Sequence, residues 1–204
     1  MLPDDIVAAF LTLSLTLVLV RAIYEFRKSH RGKRTASEEV ELGANDPLVV
    51  LGAIFVVVGF YFEMVLYAVL VLVGFQQVLV GSFAQLRFPF DSLIQALGMS
   101  LIVLGYLIVF LGLRAIEYDR LVTSGPYRYV RHPQYVGYFF VFAGFFLLLL
   151  NLIALIPLLA ILGEVRMANI EEEFLTKKFD GSYVDYRKAT GKFFPKIRHE
   201  EPRD

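Results

Sequence analysis

Long apolar stretches, separated by short charged runs, constrain this chain more than any other feature of its sequence. Apolar residues dominate positions 6–26, 48–80, 93–113 and 135–163. About 20 apolar residues are enough for an α-helix to cross roughly 30 Å of hydrocarbon. Of the 204 residues, 57% are hydrophobic, and the mean hydropathy is +0.60. The sequence therefore predicts an all-α, polytopic integral membrane protein.

The first apolar stretch, residues 6–26, has the length of a membrane span. Asp4 and Asp5 precede it and a basic cluster follows it, which is the reverse of the charge order in a cleavable signal peptide. The cluster consists of Arg21, Arg27, Lys28, Arg31, Lys33 and Arg34. Because basic residues beside a span tend to stay in the cytoplasm, we expect the N-terminus to face outward.

The second stretch is too long for one upright helix and short for two. We expect one tilted span over residues 47–73, an interfacial stretch through Arg87 that ends at the Phe88-Pro89-Phe90 break, and another span over residues 93–113. Glu63 lies near the middle of the second stretch. An acid at that depth is either a buried functional group or a carboxylate that is near an interface or paired to a neighbouring helix.

Residues 135–163 contain two apolar halves, each shorter than a usual span, which favours a tight helical hairpin with Asn151 at its tip. The total is then about five transmembrane helices. With five membrane crossings, the loop after Arg21, the 114–134 loop and the C-terminal tail all lie on the cytoplasmic side. With six crossings, they would lie on different sides of the membrane. The tail, residues 164–204, is polar with interspersed aromatics, and it predicts one or two short amphipathic helices on the membrane surface.

The amino-acid composition excludes several classes of partner and site. Twenty basic and twenty acidic residues cancel, so no net basic charge favours a nucleic-acid partner. The chain has no cysteine, which excludes disulfides, thiolate metal sites and cysteine nucleophiles. With three histidines, a multi-histidine metal centre is not expected, and we predict no metal site.

Two polar segments on the predicted cytoplasmic side carry groups suited to a ligand. Arg131, His132 and Pro133 begin the hairpin, where proline suits a first helical turn and free N–H groups favour an anion. Glu171, Glu172 and Glu173 follow about forty positions later and return to the same side. Cations on one segment and carboxylates on the other suit a zwitterionic, cationic ligand. Ring faces and hydroxyls can come from Tyr127, Tyr135 and Tyr183.

Each of these residues also has a simpler interpretation. His132 can cap a helix, Arg128 and Arg131 can be cytoplasmic anchors, and Glu172 and Glu173 can form a solvated helix face. Tyr186 and Arg187 fit packing and interfacial positions. The two polar segments taken together favour the binding interpretation for His132, whereas Arg128 and Glu173 are better explained as surface residues.

The C-terminal half resembles a known family. LVTSGPYRYVRHPQYVG (residues 121–137), then the hairpin, then EEEFL (171–175) and FDGSYVDYRKATGKFFP (179–195) are similar to the isoprenylcysteine carboxyl methyltransferase and phospholipid methyltransferase group of membrane enzymes. The resemblance covers roughly residues 119–195, in the same order and with similar spacing. Two positions depart from it: Asp180 interrupts the usual Phe-Gly pair, and Lys192 stands where arginine is common.

The resemblance implies a methyltransferase that uses S-adenosylmethionine and needs no metal. Residues 114–204 would bind the cofactor, and residues 1–113 would shape a lipid-facing pocket. Arg166 resembles an arginine that orients the acceptor, and Arg131 is the second catalytic candidate. The cofactor-binding candidates are Asp119, Arg120, Leu121, Val122, Tyr127, His132, Pro133, Gln134, Tyr135, Glu171 and Glu172.

The acceptor implied by the resemblance is lipidic or small: a prenylcysteine-like carboxylate or a phospholipid amine. Its site would face the cytoplasm, in a prokaryotic plasma membrane or the endoplasmic reticulum. Two alternatives stay open. Membrane sterol reductases carry a related motif and use NADPH, although the acidic run disfavours the ribose 2′-phosphate of NADPH. A non-catalytic transporter or assembly protein is the other alternative.

Overall fold

The computed structural model describes residues 1–29, 43–62, 65, 69, 86–117 and 120–196. In these residues the fold is helical, with no β-strand, which confirms the predicted all-α class. The α-helices are α1 (Asp4–Ser29), α2 (Pro47–Phe55), α3 (Asp91–Ala115), α4 (Pro133–Leu149), α5 (Ile156–Phe179) and α6 (Gly181–Ala189). A π-helical segment (Val56–Phe62) continues α2, and 3₁₀ turns occupy Gly125–Arg128 and Ile153–Leu155.

Within the part of the chain that the structure describes, two helical stretches are long and apolar enough to cross a membrane, Asp91–Ala115 and Ile153–Phe179. Shorter apolar helices run over Asp5–Val20 and Pro133–Leu149. Only 33% of the most apolar part of each long stretch is buried in the protein. Their outer faces carry exposed leucines such as Leu93 and Leu162, as expected of surfaces that contact lipid. The structure thus agrees with a membrane protein, while the count of five crossings remains a prediction.

Helix α2 begins at a capping residue. α2 starts at Pro47, directly after Asp46, whose Oδ1 accepts hydrogen bonds from the N–H groups of Leu48 (3.0 Å) and Val49 (3.4 Å). The span predicted over residues 47–73 is described continuously only as far as Phe62. Glu63 and the interfacial stretch up to residue 85 lie outside the described residues.

Helices α3 and α4 form the most extensive pairing among the described helices, and glycines set their distance. A Cβ atom added to Gly98 would lie 2.6 Å from the Gly144 carbonyl oxygen, and one added to Gly105 would lie 2.5 Å from that of Gly137. Small residues let two helix backbones approach this closely in a membrane. The glycines recur every seven positions on each helix, a pattern that the sequence analysis did not use.

The hairpin has its turn where the sequence predicts it. α4 ends at Leu149, Leu150 adopts a left-handed conformation (φ +48°), and the side-chain oxygen of Asn151 accepts a hydrogen bond from the Ile153 N–H (2.8 Å). The expectation of a tight hairpin was wrong in its packing, because α4 packs mainly on α3 and α5 mainly on α2. Gly163 of α5 allows that second approach, since its added Cβ would lie 2.7 Å from the Gly52 Cα.

The tail also differs from the prediction. No new helix begins at residue 164, because α5 continues to Phe179. In the described part of the tail, α6 is the one short separate helix. Residues 164–179 contain neither glycine nor proline, so nothing ends the helix before Asp180 and Gly181. This continuation carries the acidic run on the same rigid helix as the apolar segment.

The core between the helices is aromatic and aliphatic. Phe60, after α2, contacts Phe145 and Phe142 of α4 edge-on, with ring centroids 4.9 and 5.7 Å apart. Leu11 of α1 and Ile102 of α3 complete this buried cluster. The core therefore joins the N-terminal helices to α4, whose first turn holds the candidate site.

Candidate active site

The segment before α4 is fixed by the chain that follows α6. Val130 and Gly191 form an isolated parallel bridge. The Arg131 N–H donates to the Gly191 carbonyl (2.9 Å), and the His132 N–H donates to the Lys192 carbonyl (3.2 Å). These backbone hydrogen bonds hold the Arg-His-Pro sequence in one conformation at the start of α4.

His132 is the centre of the polar cluster. Its Nδ1 lies 3.1 Å from Oε2 of Glu171, its Nε2 lies 3.1 Å from Oε1 of Glu172, and the residue is 4% exposed. The expected meeting of the Arg-His-Pro segment with the acidic run is therefore confirmed. Glu173 is exposed, in agreement with its interpretation as a surface residue.

The carboxylates change the proton affinity of His132. Burial alone would lower its pKa, but the hydrogen bonds and charges of Glu171 and Glu172 outweigh burial and raise the pKa above 6.5. Burial also raises the pKa of Tyr183 and of Tyr186 above the usual 10, so both remain neutral hydroxyls near pH 7.

Arg131 and Glu172 form a buried ion pair behind the histidine. Arg131 Nε donates to Glu172 Oε1 (2.9 Å), and the two side chains are 9% and 8% exposed. Arg131 Nη1 also donates to the carbonyls of Arg187 (3.1 Å) and Thr190. Arg131 therefore ties α5 to the end of α6. A buried pair of this kind stabilises only when its remaining hydrogen bonds are satisfied, as the two carbonyls do here.

A cleft of about 830 Å³, including its open mouth, lies beside this cluster. Its walls come from the 116–135 segment, α5 and α6. The lining residues are Ile116, Glu117, Arg120, Leu121, Val122, Tyr127, Arg131, His132, Gln134, Tyr135, Glu171, Leu175, Lys178, Phe179, Tyr183 and Tyr186. Among the described residues, no group of histidine and acidic side chains is arranged to hold a metal ion.

Most of the predicted site residues line this cleft. They are Arg120, Leu121, Val122, Tyr127, Arg131, His132, Gln134, Tyr135 and Glu171. Pro133 and Glu172 do not line it: Pro133 is buried in the first turn of α4, and Glu172 lies behind His132. Asp119 lies outside the described residues.

Arg166 is directed away from the cleft. It precedes Glu171 by five positions, which separates the two side chains by about 140° around a helix of 3.6 residues per turn. Arg166 Nε instead donates to Oδ2 of Asp46 (2.7 Å), and the arginine side chain is 41% exposed. Its acceptor-orienting role remains a prediction, and the structure places it at the α2–α5 contact.

The cleft also contains residues that the sequence analysis did not assign to it. Leu175, Lys178 and Phe179 follow Glu171 by four, seven and eight positions, the spacing of one helix face. Extending the helix beyond residue 164 would have identified them. Tyr186, interpreted as a packing residue, lines the cleft as well, and its hydroxyl donates to the Tyr127 carbonyl (2.6 Å).

The comparisons with known proteins agree with this geometry. A family model described as phospholipid methyltransferase matches residues 93–182, which include most of the residues that line the cleft. The resemblance stated from the motifs is thereby confirmed, and neither the reductase nor the transporter alternative is supported.

Individual relatives carry the name protein-S-isoprenylcysteine O-methyltransferase. The Saccharomyces cerevisiae protein is 34% identical over 79 residues, which cover 38% of this chain and 33% of the yeast protein. The Schizosaccharomyces pombe protein is 39% identical over 79 residues, with 38% and 34% covered. The Dictyostelium discoideum protein is 35% identical over the same length. The chain thus spans about a third of the length of the curated relatives that it matches.

Proposed function

We propose that this chain is an integral membrane methyltransferase that transfers a methyl group from S-adenosylmethionine to a lipidic or small acceptor. One observation carries the proposal: two polar segments about forty positions apart converge on a single cleft. Both segments lie within the part that matches the phospholipid methyltransferase family.

The side chains that line the cleft suit the chemistry of the methyl donor. Glu171, with a side chain 27% exposed, offers a carboxylate to an ammonium or sulfonium group. Arg120 offers a cation to a carboxylate, and Tyr127 and Tyr135 offer ring faces.

The proposed cofactor contacts are Asp119 and the predicted cofactor-binding residues that line the cleft. Among these, His132 acts through the Glu171 carboxylate that it holds. Pro133 and Glu172 support them, one in the first turn of α4 and the other behind His132. Residues 114–204 then form the cofactor-binding region, and residues 1–113 shape the acceptor pocket.

Bound S-adenosylmethionine would supply an electrophilic methyl group for in-line displacement by the acceptor and would leave as S-adenosylhomocysteine. The protein holds the donor and the acceptor in the orientation that the reaction needs. Good orientation of two reactants lowers the activation free energy by about 7–11 kcal/mol. Arg131 has Nε and Nη1 engaged by Glu172 and two carbonyls, so it fixes the cleft wall. Arg166 is the candidate for holding an anionic acceptor from the α2 side of α5, where Asp46 holds its Nε and 41% of its side chain is exposed.

The proposed topology has five crossings, with the cleft on the cytoplasmic side. The pairing of α3 with α4 supports it, since Ala115 and Pro133 then lie at the same end of the bundle. The chain has no cysteine, so single cysteines can be introduced without a background. We expect a cysteine at Asp185 to react with an impermeant maleimide only when the reagent can reach the cytoplasmic side of the membrane. A cysteine at the exposed Pro3 should react from outside.

The proposal is tested by calorimetry of S-adenosylhomocysteine binding to the purified protein. We expect micromolar binding that is lost in His132→Ala and Glu171→Ala and retained in Glu173→Ala, which removes an exposed carboxylate from the same helix turn. NADPH serves as the control ligand. Absence of binding, or a preference for NADPH, would contradict the proposal.

The acceptor class is then separated by the chemical stability of the product. Protein loaded with methyl-labelled S-adenosylmethionine is incubated with a farnesylated cysteine or with phosphatidylethanolamine. A methyl ester releases volatile label in base, whereas an N-methyl amine does not. If the label is transferred to neither of these lipids, the acceptor belongs to the small-molecule class.

A further inference from the structure

The imidazole of His132 faces a carboxylate on each of its two nitrogens. Nδ1 and Nε2 lie 3.1 Å from oxygens of Glu171 and Glu172, respectively. A neutral imidazole has one N–H and one lone pair, so one of these contacts would set a lone pair against a carboxylate oxygen. Only the doubly protonated ring donates to both.

Neither carboxylate is suited to supply the missing proton. Oε1 of Glu172 lies 2.9 Å from Arg131 Nε and 3.8 Å from Lys192 Nζ, and Oε2 lies 3.7 Å from Arg187 Nε. Three cations around one carboxyl group favour its ionised form. Glu171 keeps 27% of its side chain exposed, so water also solvates its charge.

The groups around the ring come from every element packed against it. Charged and titratable neighbours are Glu171 and Glu172 of α5, Arg131 beside it, Tyr135 of α4, Arg187 of α6 near Glu172, and Lys192 of the C-terminal segment. The ring of Phe193, centred 5.8 Å away, helps to exclude water. The two carboxylates are the groups in hydrogen-bond contact with the imidazole among the described residues.

We propose that His132 is held as an imidazolium and acts as a positioning residue. It directs Glu171 toward the cleft and Glu172 toward Arg131, and with both ring nitrogens engaged it neither accepts a proton from the acceptor nor touches the reacting atoms. Only the role of Glu171 toward the methyl donor rests on the proposed function. The charge state of the ring is independent of it.

The charge state can be measured directly by ¹⁵N NMR of histidine-labelled protein without any ligand. The chain contains three histidines, and His132→Gln assigns the signal by its loss. We expect both ring nitrogens of His132 to carry protons at pH 8, where a histidine with an ordinary pKa near 6.5 is neutral. A neutral tautomer at pH 8 would overturn the proposal.

A matched pair of variants tests the cause. Glu171→Gln keeps an acceptor oxygen but removes the charge, so the ring should lose its second proton at lower pH. Glu173→Gln makes the same change on an exposed neighbour and should leave the titration unchanged. Equal titration curves in the two variants would contradict the assignment of Glu171 as the charge that holds the proton.

The positioning role has a separate readout in cofactor affinity. S-adenosylhomocysteine binding should weaken by at least about tenfold as pH rises through the His132 titration. One hydrogen bond is then replaced by a lone pair that faces a carboxylate oxygen, and the other loses the imidazolium charge. Unchanged affinity across that titration would overturn the positioning role. Absence of binding in the wild type at every pH would instead count against the proposed function, with the NMR result still standing.

Discussion

The carboxylate of Asp46 joins the two halves of the chain, because its Oδ2 lies 2.7 Å from the Nε of Arg166, 120 positions away. Its Oδ1 accepts the N–H groups of Leu48 and Val49 and so caps α2. The hydrogen bond from Arg166 is the main cause of the lowered pKa of Asp46, and it outweighs burial. One side chain thus starts a helix of the N-terminal half and orients an arginine of the C-terminal half.

This double role predicts different effects for two substitutions of Asp46. Asparagine keeps the cap and loses the charge, whereas alanine loses both, so Asp46→Ala should lower the melting temperature more than Asp46→Asn. If Arg166 holds an anionic acceptor, Asp46→Asn should raise the KM for the acceptor and leave the Kd for S-adenosylhomocysteine unchanged. Equal melting temperatures for the two variants would refute the capping role.

Asp180 predicts a stabilising substitution. It lies between α5 and α6 with φ +43° and ψ −124°, a backbone conformation that glycine adopts without strain. Asp180→Gly should therefore raise stability by about 1 kcal/mol, or about 2–4 °C in melting temperature. The control is Asp185→Gly within α6, which should lower stability by about 1 kcal/mol. A destabilised Asp180→Gly protein would show that the aspartate makes a compensating interaction.

The close contact between α3 and α4 predicts that adding one methyl group at Gly137 destabilises the protein. A Cβ at Gly137 would lie 2.5 Å from Val109 Cγ2 and 2.7 Å from the Gly105 carbonyl oxygen. Gly137→Ala should therefore cost about 1–3 kcal/mol through overpacking. Gly181→Ala is the control, because nothing lies within 4 Å of its added Cβ and it should be neutral or stabilising. Thermal unfolding in detergent compares the two.

Gly191 predicts a local defect in the site rather than a loss of fold. Its added Cβ would overlap the Phe194 carbonyl oxygen, and its own carbonyl accepts the Arg131 N–H. Gly191→Ala should free the segment before α4 and weaken S-adenosylhomocysteine binding by at least about tenfold, with helix content retained. Circular dichroism and calorimetry on the same sample test both parts. Wild-type affinity would mean that this backbone pairing is not needed for binding.

The raised pKa of His132 predicts how stability changes with pH. Because the folded pKa lies above the unfolded value of about 6.5, the stabilisation is complete below that pH and is lost as pH rises through the folded pKa. The wild type should therefore lose melting temperature between pH 6.5 and 9 more steeply than His132→Gln, which does not titrate there. Parallel curves would show that His132 titrates alike in both states.

Local signals in the sequence were sufficient to predict the position of several helices and turns. α2 starts at Pro47, where the span predicted over residues 47–73 begins. Residues 93–113 fall within α3 (Asp91–Ala115), and Asn151 lies in the hairpin turn. Proline at the start of α4 and the acidic run on α5 were sufficient to predict that His132 and the glutamates meet. Each of these depends on a capping residue, a break or an apolar length, which are properties of short segments.

Local signals did not predict which helices pack against each other. The sequence suggested that α4 and α5 pack on each other, but each pairs with a helix from an earlier part of the chain. The distance between backbones at Gly105 and Gly137 decides this, and it depends on both helices at once. Arg166 shows the same limit, since only the rotation of α5 directs it to Asp46 and away from the cleft.

By itself, the sequence determined the helical class, the apolar lengths, the family motif and the two polar segments that form the cleft, because composition, periodicity and motif spacing are local. Tertiary structure alone decided which helix faces meet, which of the predicted residues line the cleft and which support it from behind. His132 shows both contributions. The sequence places it directly before Pro133. Its two carboxylate partners surround it only when α4, α5 and the segment after α6 pack together. Charge and burial act over distances of a few ångströms in space, and the order of residues does not specify those distances.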